Sequence, residues 1–387
     1  MFILIISRGV PSTKNPHWGC FEKDQAEALT LLGHKVVVAS IDTRFLWEWR
    51  KIGITKTTIN NIVYYDSFIV PGAITNLFGQ KINLIVKQWQ MGSIYKEIIR
   101  EHGKPDIIYG HFSFITSNAV KVAKENNIPL VGMEHNGAFL NPKLSAHTEF
   151  SSKYVYQHTD LIISVSQSLR EGIMYHMGKD SVVVHNTYGK EFFYKEKQKN
   201  KKLSIISVGR LTYDKGFDIL IEALSIIKNQ LPQDWELLIA GEGDYRNVLQ
   251  QQINEAKLEK HISLIGWRTK PEIAALIQQS DIFVLPSRYE SFGVVYIEAL
   301  ACGAPIIATD CGVPKELVTN ENGLFIPSEN ITALATAILQ ISENINQYDR
   351  KAISEDCKAR FSAEVLAKKL TNIFEDIIQN YENNTID

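Results

Sequence analysis

Continuous apolar runs alternate with amphipathic stretches of helix length from one end of the chain to the other. Residues 2–7, FILIIS, are the first such run and have the look of a buried parallel strand. A loop with glycines and prolines follows from Arg8 to Gly19. The next stretch predicts a helix from about Phe21 to Leu32, stopped by Gly33. Further strands are predicted over residues 35–41, 106–110, 130–133, 161–165 and 182–185, with helical stretches between them. Residues 190–202, KEFFYKEKQKNKK, are polar and lysine-rich and read as a linker. After it the alternation restarts, with strands over 203–208, 235–240, 262–265, 282–285 and 306–309. The first helix of this half carries Phe217, Leu220, Ile221 and Leu224 at the spacing of a buried stripe. A last helix covers residues 363–381. The pattern predicts two doubly wound α/β domains, residues 1–190 and 200–362, with the tail 363–387 packing back on the first. Two such halves imply a cleft between them, where ligands usually bind.

In open parallel sheets, ligands bind beyond the C-terminal strand ends. The second half is rich in chemistry there. Gly209-Arg210-Leu211-Thr212-Tyr213-Asp214-Lys215-Gly216 follows its first strand, and Gly241-Glu242-Gly243-Asp244 its second. Gly266-Trp267-Arg268 follows the third, and Asp310-Cys311-Gly312 the fifth. The fourth is followed by Pro286 to Gly303, which holds Glu290 and Glu298 with seven residues between them. Ser291, Phe292 and Gly293 lie between the carboxylates and lead into a helix. Backbone N–H groups of Gly293, Val294 and Val295 at that helix start make an anion cradle. Carboxylates accept paired hydrogen bonds from vicinal hydroxyls. Lys215 stands just before a helix, where the macrodipole disfavours a cation, and Arg210 shares its loop. Two cations at that end make sense around an anion. The combined set suits a diphosphate carrying hydroxylated sugars.

Composition narrows the class without changing this picture. The 387 residues, 45% hydrophobic and 22% charged, are ordinary for a globular chain of two or three domains. A net charge of −2 gives no overall pull toward nucleic acid. The charge is uneven: residues 1–190 hold 20 Lys/Arg against 15 Asp/Glu, and the rest 21 against 28. Cys20, Cys302, Cys311 and Cys357 show neither metal-site spacing nor a disulfide framework, which fits a reducing compartment. The start, MFILIISRGV, reads as a strand and not as a signal peptide, and no apolar run approaches the ~20 residues of a membrane span.

Gly209-Arg210-Leu211 with Lys215-Gly216, Gly241-Glu242-Gly243, and the Glu290/Glu298 pair ending in Glu298-Ala299 resemble the family-4 group of retaining glycosyltransferases (glycosyl transferases group 1). The likeness extends over nearly the whole chain: Trp18-Gly19-Cys20-Phe21-Glu22 with Gln25-Ala26, Gly33-His34-Lys35-Val36, residues 106–111 ending in His111, and Asn322-Gly323-Leu324. Two turns depart from the family pattern, His185-Asn186-Thr187-Tyr188-Gly189 and Cys311-Gly312. The resemblance implies the GT-B fold, two facing Rossmann-like domains. It implies that Arg210 and Lys215 clamp the donor diphosphate, that Glu298 binds the ribose hydroxyls, and that Glu290 binds the transferred sugar. Backbone groups of Phe292, Gly293, Val294 and Val295 would add to the cradle, with Gly19, Gly209, Gly241, Ser291 and Arg268 also on the donor side. His111 and His135 compete for the place facing the donor sugar. Glu134 and Asn136 are candidates on the acceptor side.

Expected, then, is a retaining, metal-independent transferase without a cofactor. It moves a hexose or N-acetylhexosamine from a nucleoside-diphosphate sugar, a UDP-sugar before GDP-mannose. The acceptor is a saccharide or lipid-linked saccharide in bacterial surface polysaccharide synthesis. No side chain is expected to become glycosylated. Residues 43–51, TRFLWEWRK, and 77–90, LFGQKINLIVKQWQ, mix aromatic and basic residues as an interfacial segment does, pointing to peripheral contact with anionic lipid and a cytoplasmic place at the inner face of the plasma membrane. The competing readings are another GT-B enzyme, such as a nucleotide-sugar epimerase, and a non-catalytic sugar-nucleotide-binding protein.

Overall fold

The computed structural model describes residues 1–10, 18–42, 51–68, 79–197, 202–312 and 317–386. Most of segment 43–51 and the first two residues of 77–90 lie outside these, as do residues 198–201 of the linker. The chain forms two compact units, Met1–Asn186 with Ala363–Asp387, and Thr187–Ser362. The first unit thus ends four residues before the boundary read from the sequence.

The first unit is built on an eight-stranded sheet. Its strands are β1 (Phe2–Ser7), β2 (Lys35–Ile41), β3 (Gly53–Ile59), β4 (Ile62–Phe68), β5 (Ile107–His111), β6 (Leu130–Glu134), β7 (Leu161–Ser164) and β8 (Val182–Val183). They lie in the order β3-β4-β2-β1-β5-β6-β7-β8. All neighbours pair in parallel except β3 and β4, an antiparallel hairpin. The hairpin was not foreseen. Asn60 and Asn61 both have positive φ, 49° and 64°, as a two-residue turn of type I′ requires. β3 is the sheet edge, and its Lys56, Thr57 and Thr58 are exposed, so it lacks the apolar run that marks the inner strands. The chain's last helix, Ala363–Ile386, belongs to this unit. Its Phe374 meets Tyr109 of β5 edge-on at 5.1 Å, and His34 Nε2 lies 2.7 Å from Thr371 Oγ1.

The second unit has six parallel strands: β9 (Leu203–Val208), β10 (Trp235–Ala240), β11 (Ile262–Gly266), β12 (Ile282–Leu285), β13 (Ile306–Asp310) and β14 (Gly323–Pro327). Their order is β11-β10-β9-β12-β13-β14, the doubly wound order whose direction reverses between β9 and β12. β14, which follows Asn322 and is not among the predicted strands, is a short outer strand, and Gly323 is needed because a Cβ there would meet Ile306 O at 2.0 Å. Helix Phe217–Ile227 turns Phe217, Leu220, Ile221 and Leu224 wholly inward, so its stripe fixes how the loop before it leaves β9. Both units are parallel-sheet Rossmann-like domains, as the alternation predicts.

Candidate active site

The reversal between β9 and β12 brings two loops of the second unit side by side. The loop leaving β9 runs through Gly209 and Arg210 into a 3₁₀ turn, Tyr213–Lys215, and then Gly216. Gly216 has φ +66°, and a Cβ there would stand 2.0 Å from Pro286 O, so only glycine lets this loop lie against the end of β12. Lys215 Nζ then meets Glu290 Oε2 at 2.7 Å and Asp214 Oδ2 at 3.5 Å. Burial works against the ammonium, but Glu290 and then Asp214 outweigh it and hold the Lys215 pKa above its ordinary value. Lys215 is therefore a fixed cation at neutral pH. Arg210 is exposed, and its guanidinium has no hydrogen bond or ion pair among the described residues.

Around this pair the glycines set close approaches. A Cβ on Gly241 would meet Gly209 O at 1.9 Å, and one on Gly243 would meet Leu211 O at 2.2 Å. Leu211 N donates to Glu242 O at 3.0 Å, which ties the loops after β9 and β10 together. Arg268, just before the capping box of Thr269 and Glu272, donates to Trp267 O at 2.9 Å. After β12, Glu290 N donates to Cys311 O at 3.0 Å. Ser291 is half-buried; Phe292 sends its ring into the core, 6.3 Å from Phe361, and leaves its backbone to the loop. Gly293, with φ +78°, starts helix Val294–Ala301, and a Cβ there would crowd Tyr296 at 2.4 Å. No side chain caps that helix start, so the N–H groups of its first turn face outward from a positive dipole end. Glu298 lies buried on the same helix. Arg288, which the sequence reading passed over, fastens the region: it grips Asp218 with two bonds of 2.8 Å and reaches Glu329 at 3.0 Å.

In the first unit the reversal lies between β1 and β5. Arg8 leaves β1 and forms a forked pair with Glu22, at 2.9 and 3.1 Å. Glu22 is fully buried, and Arg8 packs over Phe112 at 4.4 Å. Burial alone would raise the Glu22 carboxyl; Arg8, and then His111, hold it below its ordinary value. Gly19, with φ +71°, starts helix Cys20–Leu31 and lies so close to Gly9 that a Cβ would meet Gly9 O at 2.2 Å. His111 ends β5 and His135 follows β6. Their rings stack at 5.2 Å, with His111 Nδ1 3.0 Å from His135 Nε2. Burial pushes His111 down to about 4 and His135 well below its ordinary value, so both are neutral at pH 7.

Glu134 is buried, and both oxygens are engaged. Oε2 accepts from Ser113 N at 3.1 Å and Tyr156 Oη at 3.0 Å; Oε1 accepts from His135 N at 3.1 Å and Asn136 N at 3.0 Å. Asn136 Oδ1 accepts from Ala138 N at 3.0 Å and caps the turn Gly137–Leu140. These two residues shape the loop that holds His135. The Arg8–Glu22 pair, Gln25, Tyr109, Met133 and Asn186 were given no role from sequence. An arginine directly after the first strand was the available signal for the pair; nothing local signals the others.

Residues 190–359 match the family model "Glycosyl transferases group 1", and residues 23–188 match "Glycosyltransferase Family 4". The uncharacterized glycosyltransferase MJ1178 of Methanocaldococcus jannaschii is 29% identical over 301 residues, 76% of this chain and 81% of its own. Among solved structures, sucrose-phosphate synthase from Thermosynechococcus elongatus has a TM-score of 0.77 at 19% identity, over 98% of this chain and 99% of that one. Anabaena HepE, in complex with UDP and glucose, has a TM-score of 0.71 at 18% identity, over 97% and 99%. With both units matched and the doubly wound sheets in place, the chain belongs to the group 1 glycosyltransferases of the GT-B fold.

Proposed function

We propose that the protein transfers a hexose or N-acetylhexosamine from a UDP-sugar to a saccharide or lipid-linked saccharide, with retention and without a metal ion. The observation that carries this is the Lys215–Glu290 pair at the β9/β12 reversal, beside the open start of helix Val294–Ala301. Lys215 and Arg210 take up charge on the departing diphosphate, the task a metal ion performs elsewhere. Glu290 and the buried Glu298 accept from sugar hydroxyls. The bond from the sugar's anomeric carbon to the diphosphate breaks, the acceptor oxygen bonds to the same face, and its proton passes to the departing phosphate oxygen. UDP is favoured as the carrier by analogy with HepE, whose structure holds UDP and glucose. Incubation with a panel of UDP-sugars and GDP-mannose tests the reading. Slow release of UDP from one UDP-sugar, unchanged by EDTA, is the expected result; release from GDP-mannose alone would contradict it.

A lipid-linked acceptor is supported by the first unit. Helix Gln80–His102 exposes Ile82, Ile85 and Trp89, at 48, 64 and 59%, along one face. The opposite side of the same helix, with Asn83 and Lys87, lines a small recess together with Asn118, His147, Phe114 and Phe150. Lys87 forms no ion pair among the described residues, and burial lowers its pKa. The exposed apolar face, with the exposed Lys81 one turn before Ile85, suits the boundary between lipid tails and their phosphates. No helix among the described residues is long and apolar enough to cross a membrane, so contact would be peripheral. Ile85→Glu with Trp89→Glu should weaken binding to phosphatidylglycerol vesicles by about 10²-fold. Equal sedimentation of variant and parent would remove the membrane contact.

A further inference from the structure

The hydrogen-bond chain behind His111 has a direction. Tyr109 Oη lies 2.7 Å from Gln25 Oε1, and Gln25 Nε2 lies 3.2 Å from Asn186 Oδ1. Asn186 Nδ2 lies 3.5 Å from His135 Nδ1, and His135 Nε2 lies 3.0 Å from His111 Nδ1. Either amide could be turned end for end unless a neighbour tells its oxygen from its nitrogen. Met133 does so. Its thioether can only accept, and it lies 3.2 Å from the same Gln25 atom that faces Asn186. That side of Gln25 offers two acceptors for the two hydrogens of an NH₂ group. Turned around, Gln25 would set its oxygen against the sulfur, and its NH₂ would find only Tyr109 Oη, which can accept one of the two hydrogens by turning its own toward Met133 Sδ at 2.6 Å; the other N–H would have no partner. Gln25 is 1% exposed, so water could not relieve it.

With Gln25 fixed, Asn186 must accept from it and donate to His135 Nδ1. His135 therefore carries its proton on Nε2 and donates to His111 Nδ1. The one proton of His111 is left on Nε2. That nitrogen is buried and has no hydrogen-bond partner among the described residues. Burial keeps both rings neutral, so neither gains the second proton that would erase the direction.

We propose that Gln25, Met133 and Asn186 are positioning residues that lock His135 and His111 in the Nε2–H tautomer, so that His111 offers a substrate oxygen a hydrogen-bond donor and not a base. Its use by a sugar oxygen rests on the function proposed above; the tautomers do not. The test is long-range ¹H–¹⁵N correlation of the imidazoles in the full-length, ¹⁵N-labelled protein, with His111→Gln and His135→Gln assigning the signals. Both wild-type rings should show a bare Nδ1 and a protonated Nε2. Asn186→Asp, which is isosteric but can only accept, should reverse both rings to Nδ1–H and lower kcat by about tenfold, the size of one lost hydrogen bond. Nδ1–H tautomers in the wild type would overturn the lock, and the wild-type spectrum alone decides this if Asn186→Asp fails to fold. Reversed tautomers with unchanged kcat would support the lock and remove His111 from the substrate.

Discussion

Lys215→Ala is expected to lower kcat/KM for the sugar donor by about 10²–10³-fold, the cost of removing one fixed group aimed at developing charge. The size follows from the site's geometry. Lys215 is mostly buried, keeps its proton at neutral pH, and is held by Glu290 at 2.7 Å and Asp214 at 3.5 Å. A cation so held needs little reorganisation when the diphosphate leaves. Most of the loss should therefore fall on kcat, with a smaller rise in KM. Lys215→Arg keeps the charge but not the shape of a point ammonium and should recover only part of the rate. Lys215→Ala also leaves Glu290 without its counter-charge, so circular dichroism should accompany the kinetics. A folded Lys215→Ala protein within threefold of the parent would remove Lys215 from the chemistry.

The largest effect on stability is expected at the other reversal point. Arg8→Met leaves the fully buried Glu22 carboxylate without its forked partner, and breaking a buried pair in this way costs about 3–5 kcal/mol. The pH dependence has a definite sign. The Glu22 pKa is lowered in the folded protein, chiefly by Arg8 against the pull of burial. The pair's contribution is then fully present above the unfolded carboxyl value, about 4.3, and is lost as pH falls through the lower folded value. Urea unfolding should show the gap between parent and Arg8→Met widest near pH 7 and closing below about pH 4. A gap that stays constant across that range would mean the pair carries no net electrostatic stability.

Buried parallel strands were legible because their apolar runs need no tertiary information; β1, β2, β9, β10 and β12 lie where those runs predict. β3, β4 and β14 were missed: β3 and β14 because edge position lets polar residues, glycine and proline into a strand, and β4 because Asp66 and Ser67 break its apolar run. The candidate set of the second unit was legible for a related reason. Arg210, Lys215, Glu290 and Glu298 follow two strand ends at short, fixed spacing, so local sequence carries most of their geometry. The first unit's polar core was not. Gln25 and Asn186 stand 161 residues apart and meet only once the sheet is assembled. Glu134 shows the opposite case. A carboxylate after a strand suggests an acceptor contact, yet its oxygens already accept from four protein donors.

Calorimetric titration of UDP into the protein and into Lys215→Ala, each with and without EDTA, tests the central claim most directly. The account predicts that the parent binds UDP, that EDTA leaves the affinity unchanged, and that Lys215→Ala loses about tenfold or more. UDP binding that Lys215→Ala leaves intact, or that EDTA abolishes, would contradict a diphosphate site built on the Lys215–Glu290 pair.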